Sequence, residues 1–368
     1  MVRDAFRAGW AGAVLKTTSL EDYQVDIAYP CIEGVKYEGD LVGFGNIDNI
    51  SEFHMDKMER AVKLLKDEFP EKIVATSIWG TTRESWEILT QRTIAAGADY
   101  LEISMSCPTD SPVGGKVFMI GQIPEEAARI VSWVVEAADG LPVVAKLTGD
   151  VTDIVSVAKA VAEVGASALT ACDSRHGMIG IDLDTFTPLP DIKGKGTFAG
   201  MVGPLLKPFE LRNLAELGLG QKLKVAASGG ATTWHDSAEY MAVGATLIQI
   251  CTAVMVHGFD IVDDLTEGLA YFLESKGMTS AEELVGKALP NVVGHSALIP
   301  AKHAVAQVDK GRCTQCLRCV VSCEDGGHQA YVIAADGFPE VDEEKCYGCG
   351  LCPAVCPADC IDLVPRQV

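Results

Sequence analysis

Short apolar runs alternate with amphipathic stretches through the first three quarters of the chain. Between the runs, apolar residues recur with the helical period, for example over Glu84–Ala96 and Pro124–Ala138. Continuous apolar strands that alternate with helices indicate an α/β fold with a parallel sheet covered by helices. The predicted strands are Ala13–Thr17, Ile73–Ile78, Tyr100–Met105, Val143–Leu147, Ala168–Cys172, Leu223–Ala227 and Thr246–Cys251.

Residues 1–275 have the length and alternation of a (β/α)8 barrel of the TIM type. The chain opens on what resembles the end of a helix over Val2–Ala8, and seven strands are predicted rather than eight. Because seven strands would leave two unpaired sheet edges, we expect that the first barrel strand is missing from this sequence. A doubly wound parallel sheet is the alternative architecture.

Two further regions follow the predicted barrel. Residues 276–308 contain Pro290 and Pro300 and are predicted to be a connecting segment. Residues 309–368 are predicted to form a small second domain, which contains an internal repeat of about 33 residues.

Composition restricts the classes of partner. Hydrophobic residues make up 48% of the chain and charged residues 22%, as in globular proteins. The net charge of −21 argues against nucleic acid or an anionic membrane as partner. No apolar stretch is long enough to cross a membrane, and the start lacks the apolar core of a secretory signal, so we expect a cytoplasmic protein.

Eight of the nine cysteines in the last 60 residues carry the most specific pattern. Each half of the small domain has the spacing C-x2-C-x2-C-x3-C, and Pro357 follows the second run. This is the spacing of bacterial ferredoxins with two [4Fe-4S] clusters, in which the fourth cysteine of each run ligates the other cluster. The predicted ligand sets are Cys313, Cys316, Cys319 and Cys356 for the first cluster, and Cys346, Cys349, Cys352 and Cys323 for the second.

Zinc and disulfides are the alternatives for these cysteines. Zinc ribbons use paired C-x2-C units, whereas each run here has a third step. Disulfides fit poorly with a cytosolic chain that has further cysteines at 31, 107, 172 and 251. The cysteine pattern therefore predicts an electron-transfer domain.

The predicted barrel strands end in residues suited to an anionic cofactor. Ser228-Gly229-Gly230 and Cys251-Thr252-Ala253 follow the last two strands, where barrel enzymes commonly bind phosphate through backbone N–H groups. Lys16 and Lys146 lie within predicted strands near their carboxyl ends, and a lysine inside a barrel strand is costly unless it meets an anion.

These segments resemble a known family. Gly9–Thr17, Leu101–Pro108, Ala145–Thr148 and Ala227–Gly230 are similar to the FMN domain of dihydropyrimidine dehydrogenases, which is related to class 1 dihydroorotate dehydrogenases. Cys323–Ala330 resembles the ferredoxin segment of the bacterial two-subunit enzyme. The similarity runs from residue 1 to about 365, and the opening strand of the family is absent.

The resemblance implies FMN as cofactor and an oxidoreductase that acts on CH–CH or CH=CH groups. Cys107 falls on the catalytic cysteine of the family, which exchanges a proton with the substrate while the flavin exchanges a hydride. The loop Pro108–Gln122, with Gly114 and Gly115, is a candidate lid. The implied FMN contacts are Lys16, Thr17, Lys146, Gly203, Ser228, Gly229, Gly230, Cys251 and Thr252.

The substrate pocket departs from the family pattern. Asn46 matches one of the asparagines that hold a pyrimidine, but Ser104 and Asp173 stand at two other such positions, and Asp48 replaces a glutamate. Arg175 and His176 are surface residues or reach the mouth of the pocket. The predicted substrate-binding residues are Asn46, Asp48, Ser104, Ser106, Asp173 and Ser174.

Two functional hypotheses follow. The first is an FMN- and iron–sulfur-dependent enzyme for a small, polar, cyclic substrate, reduced by an NAD(P)H/FAD subunit or a ferredoxin and assembled as a homodimer. The second is an electron-transfer subunit whose flavin relays charge without substrate chemistry. The sequence has no Gly-x-Gly-x-x-Gly after a strand, so a dinucleotide-binding partner is expected.

Overall fold

The computed structural model describes residues 1–48, 50–106 and 119–366. These residues divide into two compact units, Met1–Val292 and Val293–Val368. In the first unit the helices are α1 (Val2–Ala8), α2 (Met55–Glu68), α3 (Arg83–Ala96), α4 (Pro124–Ala137), α5 (Ile154–Glu163), α6 (Lys207–Gly220), α7 (Trp234–Ala242), α8 (Thr252–His257) and α9 (Ile261–Ser275).

The strands of the first unit belong to three sheets. They are β1 (Gly12–Val14), β2 (Ile32–Tyr37), β3 (Asp40–Asn46), β4 (Ile73–Ile78), β5 (Tyr100–Ser104), β6 (Val143–Lys146), β7 (Ala168–Ala171), β8 (Arg175–Gly177), β9 (Ile181–Asp182), β10 (Thr187–Pro188), β11 (Ala199–Val202), β12 (Val225–Ser228) and β13 (Ala245–Gln249).

Seven of these strands form one parallel sheet in the order β1-β4-β5-β6-β7-β12-β13. This curled sheet is the TIM-type barrel architecture that the sequence predicts, and each predicted strand is present. Among the described residues, β1 and β13 are the two ends of the sheet. All carboxyl ends of these strands lie at one edge of the sheet, because the strands are parallel.

The helices cover the sheet with apolar faces, since their buried residues recur every three or four positions. Trp86 and Leu89 of α3 and Val131 and Val134 of α4 pack in one core with the strand residues. Local sequence sets where helices begin: the Thr82 side chain accepts a hydrogen bond from the N–H of Ser85 and forms a capping box with it. The core therefore holds the strand ends in fixed positions.

An antiparallel sheet with the order β2-β3-β11-β8 lies outside this sequence-based prediction. It joins chain segments that are distant in sequence, since Gly200 of β11 pairs with both Asn46 and His176. Such pairing leaves little local pattern, because each strand is short and rich in Gly. This sheet positions Asn46 and the chain that follows Asp173.

The second unit contains β14 (Ala304–Val308), α10 (Arg318–Asp325), β15 (Tyr331–Ile333), β16 (Pro339–Val341), α11 (Leu351–Ala354) and β17 (Ile361–Pro365). β14 pairs antiparallel with β17, and β15 with β16. The unit has its own core, in which cysteines contact Val305, Val320 and Ile361.

The boundaries require one correction. The predicted connecting segment 276–308 is divided between the units: Leu284 packs against Leu273 in the first unit, and Ala304–Val308 is a strand of the second. The prolines suggested an irregular linker, but apolar residues before them are buried in the first unit and the residues after them pair as a strand in the second. In the described residues, no helix has both the length and the apolar character needed to cross a membrane.

Candidate functional site

The carboxyl ends of β5, β6 and β7 bring together a group of polar side chains. Lys146, the last residue of β6, has its Nζ 3.6 Å from Oδ2 of Asp173 and 3.8 Å from Oε1 of Glu102. Ser104 pairs with Lys146 in the register between β5 and β6 and is buried. Lys146 thus lies between two carboxylates, as expected for a lysine at a barrel strand end that meets an anion.

Asp173 follows β7 and accepts hydrogen bonds on both oxygens. The Ser106 hydroxyl donates to Oδ2, and the N–H of Ser174 donates to Oδ1 at 2.9 Å. Burial raises the pKa of this carboxyl, but attraction to Lys146 and the hydrogen bonds outweigh burial and lower the pKa below its usual range. Asp173 is therefore ionised at neutral pH and presents acceptors only.

Glu102 is a polar residue of the barrel interior that sequence reasoning missed. Its side chain is buried in β5, and Oε2 accepts hydrogen bonds from Thr170 at 2.8 Å and Gln249 at 3.3 Å. A glutamate in the middle of the apolar run Tyr100–Met105 is the sequence signal that could have identified it. With Lys146, Glu102 forms a charged layer below the strand ends.

Lys16, which was predicted to lie within a barrel strand, has a partly exposed side chain that pairs with Asp48. β1 ends at Val14, so Lys16 follows the strand, and its side chain is 46% exposed. Its Nζ contacts Oδ2 of Asp48 at 2.6 Å. The regular strand thus ends two residues before Lys16, although the N–H groups of Leu15 and Thr18 still donate to carbonyls of β4.

The residues predicted next to Lys16 lie close to it. Thr17 hydrogen-bonds Ser77 at 2.8 Å, and the Oδ1 of Asn46 accepts the N–H of Asp48 at 2.7 Å. The other oxygen of Asp48 is buried and has no hydrogen-bond partner among the described residues. An unpaired buried carboxylate oxygen beside a lysine is suited to a polar ligand.

The predicted phosphate-binding residues lie in loops that only glycine can form. Gly203, Gly229 and Gly230 have φ angles of +93°, +91° and +85°. A Cβ at Gly230 would lie 2.6 Å from the backbone nitrogen of Lys207, and one at Gly203 would touch Thr252 at 3.5 Å. The loops after β11, β12 and β13 therefore approach one another closely enough for their backbones to line one anion site, which fits the phosphate of FMN.

The other predicted residues occupy these loops and the antiparallel sheet. Ser228 ends β12, and Cys251 is an exposed residue directly before α8. The hydroxyl of Ser174 fills the space beside Gly200, across from Asn46. Cys107, Gly114 and Gly115 lie outside the described residues.

Arg175 and His176 have structural partners. The Arg175 guanidinium stacks 4.9 Å from the ring of Phe209 and reaches Asn213 at 3.5 Å. His176 contacts Asp150 through both its backbone N–H and its Nδ1, at 2.9 Å. His176 is thus an exposed residue with a carboxylate partner, and Arg175 is half-buried.

Beneath the Gly229 loop lies a buried pair of titratable groups. Glu210 of α6 is fully buried, and burial raises the pKa of its carboxyl to about 7. The thiol of Cys172, which accepts a hydrogen bond from Asn213 at 3.3 Å, has its pKa raised by burial and by Glu210. These residues belong to the wall that supports the loop.

In the second unit, nine cysteines line two cavities, and eight of them divide into the two predicted ligand sets of four. Such sets of sulfur donors are what [4Fe-4S] clusters require. The first cavity is lined by Cys313, Cys316, Cys319 and Cys356, and the second by Cys346, Cys349, Cys352 and Cys323. The fold thus brings the fourth cysteine of each run to the other triplet.

Comparison with known proteins matches both units. Residues 48–273 match the family described as dihydroorotate dehydrogenase, and residues 306–363 match the 4Fe-4S dicluster domain. The chain is 33% identical to the NAD-dependent dihydropyrimidine dehydrogenase subunit PreA of Escherichia coli, over 99% of this chain and 89% of that protein.

More distant relatives include both named dehydrogenase types. The chloroplastic dihydropyrimidine dehydrogenase (NADP(+)) of Arabidopsis thaliana is 28% identical over 83% of this chain and 75% of that protein. The catalytic subunit of dihydroorotate dehydrogenase B (NAD(+)) of Pyrococcus abyssi is 31% identical over 78% of this chain and 90% of that protein. This chain therefore belongs to the dihydroorotate dehydrogenase family of FMN-dependent oxidoreductases that act on CH–CH groups, and carries a 4Fe-4S dicluster domain after the barrel.

Proposed function

We propose that this enzyme interconverts a C=C and a C–C bond of a small, polar, cyclic substrate other than uracil or thymine. The observation that carries the proposal is the ionised Asp173 between Lys146 and Ser106 at the strand ends. The relatives are named for dihydropyrimidines and dihydroorotate, so a ring of that size is the starting point.

Residues of this chain would have distinct roles in the reaction. FMN, when bound, supplies hydride transfer to or from a substrate carbon. Lys146 would place a positive charge beside the flavin, and the loops containing Gly203, Gly229 and Gly230 would hold its phosphate. Lys16, Thr17, Ser228, Cys251 and Thr252 complete the proposed flavin contacts.

Cys107 is the proposed acid or base, which would exchange a proton with the substrate carbon opposite the hydride. A thiol has an ordinary pKa near 8.5, so modest changes in its surroundings bring it to neutrality. Ser106, its neighbour in sequence, donates to Asp173, which ties the chain at this point to the end of β7.

Substrate selection would follow from acceptors in the pocket. An asparagine offers both a donor and an acceptor to the amide edge of a pyrimidine, whereas Asp173 offers acceptors only. The Oδ1 of Asn46 is occupied by the N–H of Asp48, so its amide group is left to donate. Asp48, Ser104 and Ser174 complete the proposed pocket, which favours a ligand with N–H donors or positive charge toward Asp173.

Electrons would enter through the two clusters from an NAD(P)H/FAD reductase subunit or a ferredoxin. The relative in Escherichia coli is named as one subunit of an NAD-dependent enzyme, which supports a partner of this kind. A homodimer in the cytoplasm is the assembly we propose.

The test measures kcat/KM for uracil in the native protein and in the double variant Ser104→Asn/Asp173→Asn. Each unmet buried polar group costs about 1–3 kcal/mol, so the double variant should gain roughly 10²–10⁴ in kcat/KM. Efficient reduction of uracil by the native protein, without improvement in the variant, would refute the proposed pocket.

A complementary screen identifies the substrate itself. Candidate ring compounds are added anaerobically to the reduced protein, and flavin reoxidation is followed by absorbance. Binding without reoxidation by any compound would favour the electron-transfer hypothesis over substrate chemistry.

A further inference from the structure

The cavity of the first cluster has a fifth cysteine in its wall. Cys360 lines this cavity together with the four predicted ligands, and its side chain is 2% exposed. The second cavity is lined by four cysteines. The two halves of the dicluster unit therefore differ in the number of thiols that surround each cavity.

Cys360 is held directly beside one ligand. Its Sγ lies 3.4 Å from the Sγ of Cys356, and its backbone N–H points to that sulfur at 3.5 Å. The carbonyl of Cys360 accepts a hydrogen bond from the N–H of Asp309 at 2.8 Å, and β17 begins at the next residue. The backbone that carries the fifth thiol is thus anchored on both sides.

The equivalent position in the other half has no sulfur. That position is Ala330, whose backbone N–H donates to the Sγ of Cys323 at 3.4 Å, as the N–H of Cys360 does to Cys356, and β15 begins at the next residue. Ala330 is buried like Cys360 but has only a methyl side chain. Cys323 and Cys356 are therefore a matched pair of ligands, of which one has a neighbouring thiol.

We propose that Cys360 is an alternative fourth ligand of the first cluster. In the exchange, the bond between one iron and the Cys356 sulfur breaks, and a bond between the same iron and the Cys360 sulfur forms. The proton of the Cys360 thiol passes to the Cys356 sulfur, and no atom changes oxidation state. The inference rests on the proposed assignment of Cys313, Cys316, Cys319 and Cys356 to the first cluster.

This arrangement gives the two clusters unequal resistance to ligand loss. If Cys356 dissociates, a buried thiol 3.4 Å away replaces it. If Cys323 dissociates, the described residues that line the second cavity offer no fifth thiol to replace it, because Ala330 occupies the position of Cys360. The first cluster should therefore survive damage that removes the second.

The primary experiment counts iron and sulfide in the full chain after anaerobic purification. The native protein and Cys356→Ala should both hold about eight irons, whereas Cys323→Ala and Cys356→Ala/Cys360→Ala should hold about one to four fewer. Electron paramagnetic resonance of the reduced proteins identifies which cluster is altered.

The outcomes distinguish failure of the proposed exchange between Cys356 and Cys360 from failure of the proposed ligand assignment. A native protein that lacks iron overturns both. An iron-loaded native protein with Cys356→Ala reduced to the level of the double variant overturns the exchange alone.

A second measurement covers the case in which Cys356→Ala does not fold. Cys360→Ala removes one sulfur atom and leaves all eight proposed ligands in place. Loss of visible absorbance in excess iron chelator should be accelerated about tenfold or more in this variant, the usual effect of removing a supporting group near a metal. Cys31→Ala, in the other unit, is the matched control, and equal rates in all three proteins would overturn the proposal.

Discussion

The barrel site and the cysteine-lined cavities differ in how far apart in the sequence their residues lie. In the second unit, three of the four proposed ligands at each cavity come from one run of seven residues, Cys313–Cys319 or Cys346–Cys352. In the barrel, Glu102, Lys146 and Asp173 meet from β5, β6 and the end of β7, and the glycine loops follow β11 and β12. Short-range spacing specifies the first kind of site, whereas the second requires the whole sheet.

The two regions also differ in charge. The cavities of the second unit are lined mainly by thiols and apolar side chains. The barrel site places Lys146 between two carboxylates, and attraction to Lys146 helps to lower the pKa of Asp173. A substitution should therefore act locally on the clusters and more widely in the barrel.

The largest expected effect is loss of one cluster without loss of the flavin. Cys349→Ala removes a proposed ligand of the second cluster, and iron should fall from about eight to about four per chain. FMN should be retained, because the two units have separate cores. Iron, sulfide and FMN are measured after anaerobic purification, with Cys31→Ala as control. Simultaneous loss of FMN would show that the barrel site and the clusters do not depend on separate units.

Cys107→Ala should lower turnover by about 10²–10⁴, the usual contribution of a general acid or base. FMN and both clusters should remain, because the thiol is proposed to move a proton and not to bind a cofactor. The measurement is reoxidation of reduced flavin by the substrate found in the screen. Turnover equal to that of Cys31→Ala would assign the proton transfer to another group or to water.

The two lysines should differ in their effect on FMN binding. Lys146 is 19% exposed and close to two carboxylates, so Lys146→Met should weaken FMN binding by about 2 kcal/mol, or roughly thirtyfold. Lys16 is 46% exposed, so Lys16→Met should cost about 1 kcal/mol or less. Dissociation constants are measured by quenching of FMN fluorescence. Equal losses would mean that exposure does not distinguish the two sites.

The last expected effect concerns the stability of the barrel wall and its dependence on pH. The Glu210 carboxyl has an ordinary pKa of 4.5 and a folded pKa of about 7, because burial favours its neutral form. The folded state then binds more protons than the unfolded state, so stability falls as pH rises from about 4.5 to about 7. The difference between these values corresponds to about 3 kcal/mol.

Glu210→Gln should remove this loss of folding stability with rising pH, because glutamine does not ionise. Its Tm should exceed that of the native barrel by several degrees at pH 8 and by little at pH 5.5. Glu216→Gln, on the same helix and paired with Arg212 at the surface, is the matched control. If both variants follow the native profile, Glu210 is not the group that titrates.

Several elements of the barrel could be predicted because their determinants are local. The strand predicted over Ile73–Ile78 has those bounds in the structure, and the helix predicted over Glu84–Ala96 begins at Arg83. The antiparallel sheet that carries Asn46 was not predicted, since β3 pairs with β11 more than 150 positions away. Pairing between distant short strands depends on the rest of the fold.

By itself, the sequence determined the parallel α/β order, the acidic charge, and the division of the last residues into two repeated cysteine runs. These features follow from periodicity and spacing, which act over a few residues. Tertiary structure alone decided that Lys146 lies beside Asp173 and Glu102, and that Lys16 pairs with Asp48. It also decided that Cys360 lies against Cys356, whereas Ala330 lies against Cys323. The physical reason is that charge pairing, burial and sulfur contacts depend on distances across the folded chain, which no local pattern specifies.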